Sequence, residues 1–206
     1  MNGRKLGLIA VAVLAVGLVV AAPAAQARKK VITRMFEVGV GSPSGGVPLE
    51  IPDGGGAAIQ LVRDPLAVRG LNPRGKIKHV SVGVRIQHPY DGDVEIYLAT
   101  PRGVLNMAHD LGGPGNGFGN GFGGCSGGLT TFDSASPTPI NTPGINPPYV
   151  GTFAPQESLN WLIGLGDKKA TNALWSLLVM DDNNQHGTGT LDCFRLTITA
   201  TNPRPK

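Results

Sequence analysis

Aromatic side chains are scarce: the 206 residues include two tryptophans, three tyrosines and six phenylalanines. With Trp161 and Trp175 expected to be committed to packing, a sugar-binding platform has only Tyr90, Tyr97 and Tyr149 to draw on. Metal-binding thiols are lacking as well, and the four histidines, His79, His88, His109 and His186, show no spacing suited to zinc. There is no central basic stripe. Arg28, Lys29, Lys30, Arg204 and Lys206 sit in the tails, and residues 31–203 carry 11 basic against 14 acidic residues, which argues against nucleic-acid binding. Helical periodicity is almost absent. Only residues 156–164, with Leu159, Trp161, Leu162 and Ile163, suit a single helical turn, too short to stand without packing.

One long apolar run is present, residues 6–22, preceded by Arg4 and Lys5 and followed by Pro23 and Ala25-Gln26-Ala27. These flanks are those of a secretory signal peptide over residues 1–27. As a helix the run spans roughly 25 Å, short of the ~30 Å hydrocarbon core, so a secreted chain with no membrane span after signal cleavage is expected. Two cysteines in an exported chain point to one disulfide. Cys193 has the opposite parity to Phe194, Leu196 and Ile198 and should face away from the core, while Cys125 lies in a glycine-rich loop. A bond between them would pin that loop to the outside of the last strand.

What is abundant is two-residue alternation. Val80, Val82, Val84 and Ile86 alternate with Ser81, Gly83, Arg85 and Gln87, and Val94, Ile96 and Leu98 with Glu95, Tyr97 and Ala99. The intervening residues 87–93 have the length of a hairpin loop. Trp175, Leu177 and Val179 alternate with the apolar Leu174, Leu178 and Met180, which suits a strand buried on both faces. After a polar turn, Phe194, Leu196, Ile198 and Ala200 alternate with Arg195, Thr197 and Thr199. Residues 174–200 thus read as a hairpin closing a sandwich. Shorter strands are expected over residues 57–62, 104–108, 130–133 and 149–153, and residues 28–50 as an ordered arm or a first edge strand. Residues 112–128 contain ten glycines and read as a flexible loop in which Phe118 and Phe122 fold back over a sandwich edge. Gly119, Gly121 and Gly124 satisfy G-x-G-x-x-G, but no helix pattern follows to hold a phosphate. The fold class is therefore all-β.

The W-x-L-x-V of Trp175, Leu177 and Val179, then Asp181 and Gly189-Thr190-Leu191, resemble the end of the P domain, or Homo B module, of subtilisin-like proprotein convertases and related bacterial serine proteases. The resemblance extends through Ile51-Pro52-Asp53, His88, the D-x-x-I-x-L of Asp93, Ile96 and Leu98, Pro101 with Gly103, Thr131-Phe132-Asp133 and Gly151-Thr152-Phe153. Ala173 stands where the family usually has glycine. The resemblance implies a jelly-roll β-sandwich, galactose-binding-like, of about eight antiparallel strands. It divides the chain into signal peptide 1–27, arm 28–44, P/Homo B domain 45–201 and tail 202–206. It also implies a module that packs against a subtilisin-like catalytic domain and stabilises it. For this chain, action on such a protease in trans or service as an extracellular interaction module is expected, and a monomer is expected.

Catalysis is not expected. His186-Gly187-Thr188 matches the segment around the catalytic histidine of subtilisin-like proteases, but no matching serine or aspartate segment accompanies it, and a solvated turn histidine is expected. Asp91, Asp93, Asp133, Asp181 and Asp182 are the candidate ligands of a structural calcium ion, since that cation takes six to eight oxygen ligands of the kind acidic turns provide. The other reading makes them turn formers and backbone acceptors. Two further alternatives are a carbohydrate-binding sandwich at the cell surface and an acid/base cluster of His88, Asp91 and Asp93.

Overall fold

The computed structural model describes residues 30–39, 48–54, 62–121, 124–166 and 173–203. The expected leader, Phe122 and all but the last residue of the strand expected over residues 57–62 lie outside them. The described residues form ten strands: β1 (Lys30–Gly39), β2 (Leu49–Ile51), β3 (Val62–Ala67), β4 (Ile77–Gln87), β5 (Val94–Thr100), β6 (Gly103–Ala108), β7 (Thr130–Asp133), β8 (Gly151–Phe153), β9 (Leu174–Asp181) and β10 (Gly189–Asn202). One sheet has the order β1-β10-β4-β7-β8, with β2 also on β10, and the other β3-β9-β5-β6. The all-β sandwich is as expected, with more strands than anticipated and one parallel pair, β7 with β8. Leu159–Leu162 forms the anticipated short helical piece as a 3-10 turn, capped by the Ser158 side chain. No helix among the described residues is long and apolar enough to cross a membrane.

The alternation places the core. Val80, Val82, Val84 and Ile86 of β4 and Phe194, Leu196 and Ile198 of β10 are fully buried in one cluster with Ile96, Leu98, Trp175, Leu177 and Val179 from the second sheet. Each such side chain contributes about 1.5–3 kcal/mol by leaving water. Strand β9 is not sealed on both faces as expected. Leu174 is half exposed and Leu178 and Met180 are only partly buried, so among the described residues the outer face of the second sheet has no continuous cover.

Strand β10 is the longest and pairs on both edges. On one edge β1 runs along it from Lys30 opposite Asn202 to Gly39 opposite Cys193, and β2 continues the same edge at Gly189 to Leu191. On the other edge lies β4. Residues 30–39 of the expected arm are therefore an edge strand. A register shift between Leu191 and Cys193 lets both Leu191 and Phe194 face the core, while Asp192 and Cys193 face outward.

The two expected hairpins are corrected. Strands β4 and β10 belong to one sheet and β5 and β9 to the other, so residues 88–93 and 182–188 are arches between sheets. The edges explain it: β9 already pairs with β3 and β5, and β10 with β1, β2 and β4. Both arches lie at the same end, where Val94 pairs with Asp181 and Gln87 with Thr190.

The glycine-rich segment is tied down rather than loose. Ile86 and Phe118 exchange backbone hydrogen bonds of 2.9 and 2.8 Å, extending the edge of β4 beyond β7, and Phe118 is buried and stacked on Tyr149. Gly117 has φ +86°, and a Cβ there would lie 1.9 Å from the Ile86 carbonyl oxygen, so only glycine fits. Cys125 and Cys193 form the expected disulfide, which packs with Leu129 in a small cluster apart from the main core. Spanning 68 residues, it contributes about 2–4 kcal/mol.

Candidate functional site

The polar residues of the two arches converge at one end of the sandwich. A chain passing between sheets leaves both ladders, and its backbone groups need other partners. His88, whose side chain is buried, lies between the arches, with Nδ1 2.7 Å from the Tyr90 carbonyl oxygen and Nε2 3.0 Å from Asp181 Oδ2. Asp181 Oδ1 accepts from the Asn183 amide at 2.8 Å. The Asp93 carbonyl accepts from the Asp182 amide at 3.0 Å, and Asp93 Oδ2 lies 2.6 Å from His186 Nδ1. The His186 ring stacks on Tyr90 at 4.0 Å and 9°. Asp91 and Asp93 bound a 3-10 turn that the sequence pattern did not mark. Asp91 joins the glycine segment to the arch: its amide donates to Gly113 at 2.8 Å, and its Oδ1 accepts from Gly117 at 2.6 Å.

Burial sets the electrostatics. It pushes the Asp91 carboxyl up from 3.8 to about 6, against the Gly117 hydrogen bond and nearby His88, and Asp91 Oδ2 has no hydrogen-bond partner. Burial and neighbouring Asp91 raise Tyr149. Asp182 is raised by desolvation and then by Glu95, Asp110, Asp93 and Asp181, which marks this end as acid-rich. Tyr97 is pushed up to about 12 by burial, and its hydroxyl donates to the Glu95 carboxylate.

Of the five candidate calcium ligands, Asp91, Asp93 and Asp182 belong to the arches and Asp181 ends β9 beside them. Asp133 stands elsewhere, opposite Ser81 on β4, bonded to His79 at 2.8 Å and to the Ala135 amide at 2.7 Å. The suggested trio of His88, Asp91 and Asp93 does not form one acid/base pair, because His88 meets Asp181 and Asp93 meets His186. His186 is not the solvated turn residue expected, since Asp93 and Tyr90 hold it partly buried. The aromatic expectation is also revised. Tyr149 is buried, whereas Trp161 is 49% exposed beside the backbone of Gly103.

Sequence reasoning missed Glu95 and Asp110 and set His109 aside for want of zinc spacing. Their ligand atoms lie within 4.8 Å of one another, with Glu95 Oε1 3.0 Å from His109 Nε2 and His109 Nδ1 2.9 Å from Asp110 Oδ2. The adjacent His109-Asp110 pair was the available signal. Glu95 was hidden because its place in the alternation marked it only as outward-facing.

Asp91 makes the arch pH-sensitive. Between about pH 4 and about pH 6 the folded chain keeps a proton that the unfolded chain has released, so stability falls as pH rises through that window. Asp91→Asn retains an acceptor for Gly117 and removes this titration. Urea unfolding across the window is expected to show a shallower decline for the variant than for the native chain. An identical slope would show that Asp91 does not titrate there.

Residues 77–116, from β4 across the first arch to the glycine segment, match the family model described as proprotein convertase P-domain. No curated protein matches. Among solved structures, the chain is similar to the serine protease of Aeromonas sobria in complex with the chaperone ORF2, at 13% identity and a TM-score of 0.40, covering 84% of this chain and 27% of that one. It is also similar to the same organism's serine protease alone, at 13% identity and a TM-score of 0.38, covering 82% and 27%. This chain thus spans about a quarter of the length of those chains. The likeness to the proprotein convertase P-domain thus rests on residues 77–116, from β4 through the first arch to the start of the glycine segment.

Proposed function

We propose that the chain is an exported, non-catalytic P-domain protein that acts as a monomer, packing against a subtilisin-like serine protease and stabilising or regulating it. The match of residues 77–116 to the P-domain model carries this reading. The Cys125–Cys193 disulfide supports export, since such bonds persist in oxidising compartments. His186, within its His-Gly-Thr segment, is engaged by Asp93 and Tyr90 and serves to join the arches. The test is to mix the mature protein with a subtilisin-like catalytic domain lacking its own P domain. Co-elution in gel filtration and a longer half-life of the protease at elevated temperature are expected. Separate elution with an unchanged half-life would reject the reading.

A structural calcium ion at the arches belongs to the same proposal. Asp182 would be its first ligand, because Glu95, Asp110, Asp93 and Asp181 all act on its carboxyl, whereas Asp91 Oδ2 is buried against the glycine segment. A chelator is expected to lower the Tm of the purified protein. An unchanged Tm would reject the ion and leave the histidine–aspartate pairs alone in holding the arches together.

A further inference from the structure

We infer that the cleft on the outer face of the first sheet, beside the arches, is a binding site for a carboxylate group, with Arg85 as its anchor. The inference stands apart from the protease reading and rests on the cleft alone. Arg85 lies on the outward row of β4, between the inward Val84 and Ile86, yet is only 1% exposed. The glycine segment covers it so closely that a Cβ on Gly127 would lie 3.1 Å from Nη1. The guanidinium is nevertheless poorly satisfied: Nε and Nη1 have no hydrogen-bond partner. The acid beside it, Asp192, stands 3.5 Å from Nε, and the same Oδ2 accepts from Gln87 Nε2 at 2.6 Å. A buried arginine with unsatisfied donors is costly unless an acceptor reaches it.

Arg85 lines an open cleft of about 620 Å³, within the roughly 300–1,000 Å³ range of small-ligand pockets. Its polar side-chain lining is otherwise Gln87, Asn116, Asn120, Thr188 and Thr190, together with His88, whose two nitrogens are already engaged. No lining residue is acidic, and the nearest carboxylates, Asp192 beside Arg85 and Asp91 against Gly115, are not part of the lining, so the cleft itself offers a cation and neutral donors. Glycines 115, 119, 121 and 189 bring bare backbone to the wall, as in sites that take the end of a peptide. A carboxylate matches the planar arginine fork and its charge-assisted hydrogen bonds. The group's source is a peptide C-terminus or an aspartate or glutamate side chain.

The test follows the Arg85 Nε–Hε resonance of ¹⁵N-labelled mature protein during titration with three short Gly/Ser peptides. One has a free C-terminal carboxylate, one is its C-terminal amide, and one is an amide carrying a single internal aspartate. Saturable movement of the Arg85 signal by an acidic peptide is expected, with the uncharged amide weaker by about ten- to a hundredfold. A response to the free terminus alone assigns the site to chain ends, to the aspartate peptide alone assigns it to side chains, and to both supports a carboxylate site indifferent to source. No saturable shift at up to about 10 mM of any peptide, or equal binding of the amide, would overturn the inference. Arg85→Met combined with Asp192→Asn removes the buried pair together and should abolish binding; retained affinity in the folded double variant would also overturn it. Should that variant fail to fold, the Arg85 signal of the native chain decides alone.

Discussion

A strand that changes sheets must give up its ladder hydrogen bonds, and this constraint governs one whole end of the molecule. Two such crossings, β4 to β5 and β9 to β10, lie side by side there. The buried contact of His88 with Asp181 ties the foot of the first arch to the end of β9. The contact of Asp93 with His186 ties the far side of the first arch to the second. Each histidine faces oxygen acceptors across a gap that no ladder can bridge. The local concentration of aspartate, asparagine and histidine follows from the geometry of the crossings.

The glycine segment depends on the same end. Asp91 fixes its start through Gly113 and Gly117, and Phe118 joins it to β4. The disulfide to Cys193 and the donation of Arg195 Nη2 to the Cys125 carbonyl at 2.7 Å fix its far side. Glycine lets this segment lie directly on the sheet, where side chains would hold it away. The same closeness buries Arg85, and the shifted register of β10 sets Asp192 beside it.

The two-residue alternation was enough to locate β4, β5 and β10 and to assign their inward rows, because burial on one face is written directly into the period. Cys193 was placed outward by the same argument. Sheet membership was not legible: a turn of hairpin length between two alternating strands looks the same whether its strands pair or face each other across the core. The partners His88–Asp181 and His186–Asp93 were hidden for that reason, although all four residues had been singled out. Arg85 read as an ordinary outward-facing residue of the alternation, since nothing in the glycine run announces that its described part forms a fitted cover. The shift at Leu191 to Cys193 broke the period and concealed Asp192.

If the arches are held by their crossing pair, His88 and Asp181 must be energetically coupled. A double-mutant cycle of His88→Ala and Asp181→Ala, read by urea unfolding, measures this directly. The account predicts a coupling energy of about 1–3 kcal/mol, as for a buried hydrogen bond to a charged group. Additive losses, with coupling within about 0.3 kcal/mol of zero, would contradict it and place the stability of this end elsewhere.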